Sequence, residues 1–219
     1  FSFINHHWGS EVIFYLVKTL SGDLGLFLLS LFVIGAACTT IFLYSAKKAA
    51  TIPLAVISIL YLRILFERTD LRPELLSFLF LSLMITILYR YHDSFTKVIF
   101  LLIPLQLLWV NIHIYFPIGI LVVLLFVIDE VISKRKNLNN YHTKILLFVF
   151  LGMGGVTLLN PHFLEGATYP LKVFQNYGYA IEENLTPFFL QSLGFSKPTF
   201  LYLEISVVLL FTSLSLTWK

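Results

Sequence analysis

Seven apolar runs separated by short polar turns constrain this chain more than any other feature. They are Leu24–Ser45, Thr51–Phe66, Leu75–Tyr89, Val98–Ile112, Phe116–Ile128, Ile145–Leu159 and Phe200–Thr217. One soluble core cannot enclose them all. Hydrophobic residues make up 58% of the chain and charged residues only 12%, against about 25% charged in soluble domains. Apolar surface in that amount calls for an apolar solvent, where backbone polar groups must be satisfied within helices. The expected fold is therefore all-α, a polytopic transmembrane helical bundle of about seven spans. It forms a single domain over residues 1–219, with an outer-face segment at 1–22, six spans within 24–159, an outer loop at 160–198 and a last span at 199–217.

The first segment is different in kind. Asn5-His6-His7-Trp8-Gly9-Ser10 is polar and aromatic, and Glu11–Leu20 reads as an amphipathic helix with Ser10 as N-cap and Gly22 as its stop. Its length of about ten residues is too short for a span, since roughly 20 are needed, so it belongs along the membrane surface. The chain opens at Phe1 without an initiator Met and ends at Lys219 directly after an apolar run, and it is read as the middle of a longer protein. The lone Cys38 excludes an intrachain disulfide framework.

Sidedness follows from the basic residues. Lys47, Lys48, Arg90, Lys97, Lys134, Arg135, Lys136, Lys144 and Lys219 fall on one side, against Lys18, Arg63, Arg68, Arg72, Lys172 and Lys197 on the other. Nine against six makes the first side cytoplasmic. The other face then collects His6, His7, Glu11, Glu67, Asp70, Arg72, His113, Asn160, His162, Glu165, Glu182 and Glu183. This localises the protein to the cytoplasmic (inner) membrane with its functional face extracytoplasmic.

The centre of that face is the polar knot Trp109-Val-Asn111-Ile-His113 before Pro117, where one apolar run ends and the next begins. Asn111 and His113 either satisfy freed backbone groups in a tight helical hairpin or orient a ligand. Arg72, ahead of Pro73, either binds a lipid phosphate through its planar fork or pairs with Asp70 or Glu74. His7 and Glu11, four apart on one helix face, are weak candidates for a divalent metal, against the simpler reading of a capped helix start. Glu182-Glu183 suits acid–base work or a sugar hydroxyl. Gln106 and Pro104 inside one run need neighbouring helices to satisfy them, and Gly152-Met-Gly154-Gly155 reads as close helix packing. No nucleotide-type phosphate loop, nucleophile elbow or zincin motif is present, and the basic clusters do not form a nucleic-acid-binding patch.

The order of these motifs resembles bacterial multi-pass membrane proteins of the glycosyltransferase-C type, the polyprenyl-phosphate-sugar-dependent transferases. A family pattern Asn-His-Glu-Trp-Leu-x-Glu is matched by Asn5-His6-His7-Trp8-Gly9-Ser10-Glu11, and Arg-Pro by Arg72-Pro73. Trp-x-Asn-x-His is matched by Trp109, Asn111 and His113. Asn-Pro and Tyr-Pro-Leu are matched by Asn160-Pro161 and Tyr169-Pro170-Leu171, and Ile-x-Glu-Trp by Ile181-Glu182-Glu183-Asn184. His7 stands where the family has an acid, and Asn184 where it has a Trp. The family's catalytic acid, just after a first span, would lie upstream of Phe1.

The resemblance implies sugar transfer from a polyprenyl-phosphate donor to an extracytoplasmic acceptor. It implies Glu11, Glu183 and His6 as catalytic candidates, and Arg72, Asn111, His113, Asn160 and Asp70 as substrate-binding ones. Its partners are the lipid-linked sugar and membrane lipid, with a divalent metal left open and no other cofactor expected. The competing reading is a non-catalytic membrane protein or a transporter of a lipid-linked or amphipathic solute. The spans carry little ionisable beyond their ends, which speaks against a proton-coupled pump.

Overall fold

The computed structural model describes residues 4–65, 71–94, 97–133, 141–172 and 185–217. Among the described residues every regular element is helical and there is no strand. The helices are α1 (Trp8–Ser45), α2 (Thr51–Leu65), α3 (Pro73–Asp93), α4 (Leu102–Ile112), α5 (Phe116–Ser133), α6 (Tyr141–Val156), α7 (Phe163–Lys172), α8 (Pro187–Ser192) and α9 (Pro198–Thr217). Among the described residues two helices, α1 and α3, are long and apolar enough to cross a membrane. The chain divides into two compact units, Phe1–Tyr44 with Leu71–Phe174, and Ser45–Asp70 with Gln175–Lys219.

In the first unit, α1 has two arms. Gly22, with φ 63° and ψ −158°, breaks the helical geometry between them, a conformation open to glycine at no steric cost. The sequence places a helix stop here, and the structure has a kink, with helix resuming at once on the far side. The N-terminal end also differs from expectation. Helix begins at Trp8 rather than Glu11, because the His7 carbonyl already accepts from the Glu11 N–H at 3.1 Å. The Ser10 hydroxyl is not the cap; it is fully buried and donates back to the His7 carbonyl at 2.7 Å. Asn5 takes the capping position in the preceding turn, its Oδ1 accepting from the His7 N–H at 3.0 Å.

Helix α4 lies at the middle of this unit, packed against α3, α5 and α6. Its Trp109 is 1% exposed and stacks on Phe80 of α3 at 5.8 Å, above a core of Met84, Leu88, Leu102, Val123, Val149 and Met153. Pro104 falls in the first turn of α4, where an N–H has no intrahelical partner to lose. The run ahead of it, Lys97–Leu101, is a tighter 3₁₀ turn, so Pro104 starts the α-helix instead of kinking it. Pro117 sits in the first turn of α5 for the same reason.

Gln106 is completely buried and donates to the Phe116 carbonyl at 3.1 Å, clamping α4 to the start of α5, while its Oε1 meets no donor. Gly152 of α6 packs closely on α4, since a Cβ there would stand 2.8 Å from Ile103 Cδ1; Gly154 and Gly155 face open space. At the end of the unit opposite the α4–α5 turn, Tyr44 Oη donates to Asp93 at 2.7 Å and Tyr91 Oη to the His142 carbonyl at 2.8 Å. The outward side of α1 is bare apolar surface, including Leu24, Phe27, Leu31 and Phe32. Surface of this extent needs a lipid or protein cover.

The second unit pairs α2 with α9. The Arg63 guanidinium lies 5.6 Å from the centre of the Tyr202 ring, and Gln191 Nε2 donates to Glu204 at 2.8 Å. Thr186 caps α8 by accepting from the Phe189 N–H at 3.2 Å.

Glycine contacts give a direct check on the packing of the first unit. A Cβ at Gly119 would stand 2.8 Å from Gln106 Oε1 and 2.9 Å from both Met84 and Trp109. Gly119→Ala is expected to destabilise the protein by about 1–3 kcal/mol, whereas Gly154→Ala should be neutral or stabilise by up to about 1 kcal/mol. Thermal unfolding of the two variants in detergent measures the contrast.

Candidate functional site

The α4–α5 turn is the meeting point of four helix ends. α4 ends there at Ile112, α5 starts at Phe116, α3 starts at Pro73 and α6 finishes nearby. The N-terminal arm of α1 docks on the turn through Gly9, where a Cβ would stand 2.5 Å from the Asn111 carbonyl oxygen. Only a glycine allows that approach. Beside it, Trp8 Nε1 donates to Asn111 Oδ1 at 3.2 Å.

The docking brings three histidines into a row. The His6 and His7 rings lie 4.0 Å apart, and His7 stacks on His113 at 4.9 Å with 20° between planes. Tyr169 of α7 packs on His6 at 4.9 Å, and Tyr115 meets His113 edge-on at 4.4 Å. His6 Nδ1 lies 3.1 Å from the Ile4 carbonyl. His113, nearly buried, has its Nδ1 2.8 Å from Ser77 Oγ, and that hydroxyl accepts from Trp109 Nε1 at 2.8 Å. His7 Nδ1 is buried and meets no hydrogen-bond partner. A buried orphan of this kind calls for an explanation.

Burial makes these imidazoles poor proton acceptors. His113 is lowered from 6.5 to about 3, first by burial and then by repulsion from His7 and His6. His7 is lowered to about 4 by burial and by His6, against a weaker pull upward from the Ile112 carbonyl and Glu11. His6 is lowered by burial, opposed by the Ile4 carbonyl and Glu11. The row is therefore neutral at neutral pH, and it offers hydrogen bonds without charge.

Two candidate amides have structural duties. Asn111 donates from Nδ2 to the Leu107 carbonyl at 2.9 Å and the Leu159 carbonyl at 3.0 Å, while its Oδ1 holds Trp8. It braces α1, α4 and the chain beyond α6. Asn160 donates to the Thr157 and Phe163 carbonyls, both at 2.8 Å, and accepts from the His162 N–H at 2.9 Å. Its polar atoms are spent on the turn into α7, with Gly166 pressed against its side chain.

Glu11 lies at this end of the unit, one carboxylate oxygen accepting from Asn5 Nδ2 at 2.7 Å. Arg72 is the N-cap residue of α3, ahead of Pro73 and at the same end as Ser77. Asp70 and Glu183, like Glu67 and Glu182, lie outside the described residues. Among the described residues, no group of three or more His, Cys, Asp or Glu side chains is arranged to hold a metal ion.

An apolar cavity of about 450 Å³ adjoins the row. Tyr115, Phe116, Ile120, Thr157, Thr168 and Leu171 are among the residues that line it. Tyr115 belongs to both cavity and cluster, and Tyr169 sits on the helix that forms the far wall. A shallower groove of about 540 Å³ runs along Trp8, Val12, Leu108 and Pro161 on the α1 side.

A scan against protein-family models and searches of the curated proteins and of the solved structures found no match.

The sequence groups His6, His7, Asn111 and His113 on one face, and these four are brought together. Ser77 and Tyr115 escape that reading. A serine inside an apolar run looks like a small packing residue, and nothing in the sequence aims its hydroxyl at a histidine 36 positions away.

The depressed histidines predict a pH dependence of stability. Their unfolded value is near 6.5 and their folded values reach about 4 for His7 and about 3 for His113. Between those limits the unfolded chain binds more protons, so stability falls as pH is lowered through the window. Melting temperatures measured across that range should drop, and the drop should be smaller in His113→Gln. Identical slopes for the two proteins would contradict the assignment.

Proposed function

We propose that the chain is a multi-pass membrane protein of about seven crossings that transfers a sugar from a polyprenyl-phosphate donor to an extracytoplasmic acceptor. The observation that carries this reading is a neutral, polar row of histidines set directly beside an apolar cavity. A lipid-linked sugar has the same two-part chemistry, a polar head and an apolar tail. Each of the seven apolar runs is wholly or mostly helical over its described residues, and the basic residues support a cytoplasmic-membrane placement with the histidine row outside.

In this reading a carboxylate takes the proton from the acceptor hydroxyl, and that oxygen attacks the anomeric carbon. The bond from that carbon to the phosphate oxygen breaks, and polyprenyl phosphate leaves. The histidines are assigned to binding: His113 and His6 hold the head group, and Glu11 is the base candidate within the described site. Arg72 is assigned to the leaving phosphate, whose growing charge a guanidinium stabilises. Glu183 and Asp70 remain candidates for the sugar and its phosphate, and a divalent metal remains open.

One observation favours a second reading, a non-catalytic binder or carrier of the same kind of ligand. The Glu11 carboxylate is already engaged by Asn5. Proteoliposomes supplied with radiolabelled polyprenyl-phosphate sugars and hydroxyl acceptors separate the two. Transfer should be seen in the unaltered protein and should fall on the order of a hundredfold or more in Glu11→Gln, with binding of the donor retained. Donor binding without any transfer would favour the carrier, and neither binding nor transfer would remove both readings.

A further inference from the structure

The hydrogen bonds around Ser77 do more than hold α3 to α4. Indole Nε1 of Trp109 can only donate, so it occupies a lone pair of Ser77 Oγ and leaves the hydroxyl proton to be placed elsewhere. Among the described residues, the only other group bonded to Ser77 Oγ is His113 Nδ1, at 2.8 Å. A hydroxyl accepting from both would leave its own proton without a partner at a buried position, so the chain of donors runs from Trp109 to Ser77 to His113, and Nδ1 is the accepting nitrogen. In a neutral imidazole the proton must then sit on Nε2. At the other end of the row the opposite is fixed. The Ile4 carbonyl can only accept, so His6 carries its proton on Nδ1 and leaves Nε2 as an acceptor.

We propose that Ser77 and Trp109 are positioning residues that lock His113 in the Nε2–H form, so that it presents a neutral N–H donor to an oxygen of the bound head group. Nothing among the described residues accepts from that nitrogen. The lock matters because His113 is held between His7 and Tyr115. A ring turned over or protonated on the wrong nitrogen would place an acceptor where a ligand oxygen needs a donor. Losing such a donor leaves a desolvated ligand oxygen unpaired, at a cost near tenfold in affinity. The tautomer lock stands on the chain's own hydrogen bonds, whereas the ligand role rests on the proposed lipid-linked head group.

The test uses the chain in nanodiscs with ¹⁵N-labelled histidine, the His113 signals being assigned by their loss in His113→Gln. The unaltered protein should show Nδ1 bare and Nε2 protonated. Ser77→Ala should populate the other tautomer and weaken binding of a short-chain polyprenyl phosphate on the order of tenfold. Ser77→Thr, which keeps the hydroxyl, should restore both. Trp109→Phe removes the donor that fixes the orientation of the hydroxyl, leaves the hydroxyl free to turn away from Nδ1, and should also admit the second tautomer; it carries the test if Ser77→Ala fails to fold. A proton on Nδ1 in the unaltered protein, or variants that leave the tautomer unchanged, would overturn the lock. A shifted tautomer with unchanged affinity would overturn the donor role. A correct tautomer signature with no probe binding at all would instead count against the lipid-head-group reading, and the lock would stand.

Discussion

Residue 9 has no side chain, and the arrangement of the site depends on that. The start of α1 rests on the Asn111 carbonyl at a distance that any Cβ would deny it. From this contact follow the Trp8–Asn111 hydrogen bond and the stacking of His7 on His113. Asn111 then ties the same point to the Leu107 and Leu159 carbonyls. One close approach, braced by one amide, assembles a polar cluster from segments more than a hundred positions apart, as the Trp8–Asn111 bond shows.

The cluster is built beside an apolar cavity, and its electrostatics reflect that. Three imidazoles in contact would repel one another if charged, and burial adds a further penalty on the charged form. Both effects push the same way and keep the row neutral. A neutral row can sit beside an apolar cavity without the cost of burying charge. That compatibility links the histidines to the cavity lined by Tyr115 and Thr168, and it underlies the proposed recognition of a ligand with a polar head and a greasy tail.

Much of this was legible in the sequence. The apolar runs mark the helices, which satisfy their backbone groups within one segment. Alternating run direction places residues 5–11 and 109–113 at one end, and the polar knot before Pro117 marks the turn. The rest was hidden for specific reasons. The helix start moved from Glu11 to Trp8 because the His7 carbonyl and the Asn5 side chain supply partners that a simple N-cap pattern does not show. Asn111 and Asn160 look the same in sequence whether they hold a ligand or a backbone, and only their hydrogen bonds identify them as braces. Ser77 was invisible because its importance comes from a partner on another helix.

The central claim is that the N-terminal segment and the α4–α5 turn form one site. A double-mutant cycle of His7→Ala and His113→Ala, read by unfolding free energy at neutral pH, addresses it most directly. Stacked rings in contact should give a coupling of about 0.5–1.5 kcal/mol. Strict additivity of the two substitutions would mean that the segment does not rest on the turn, and the site as described would not exist.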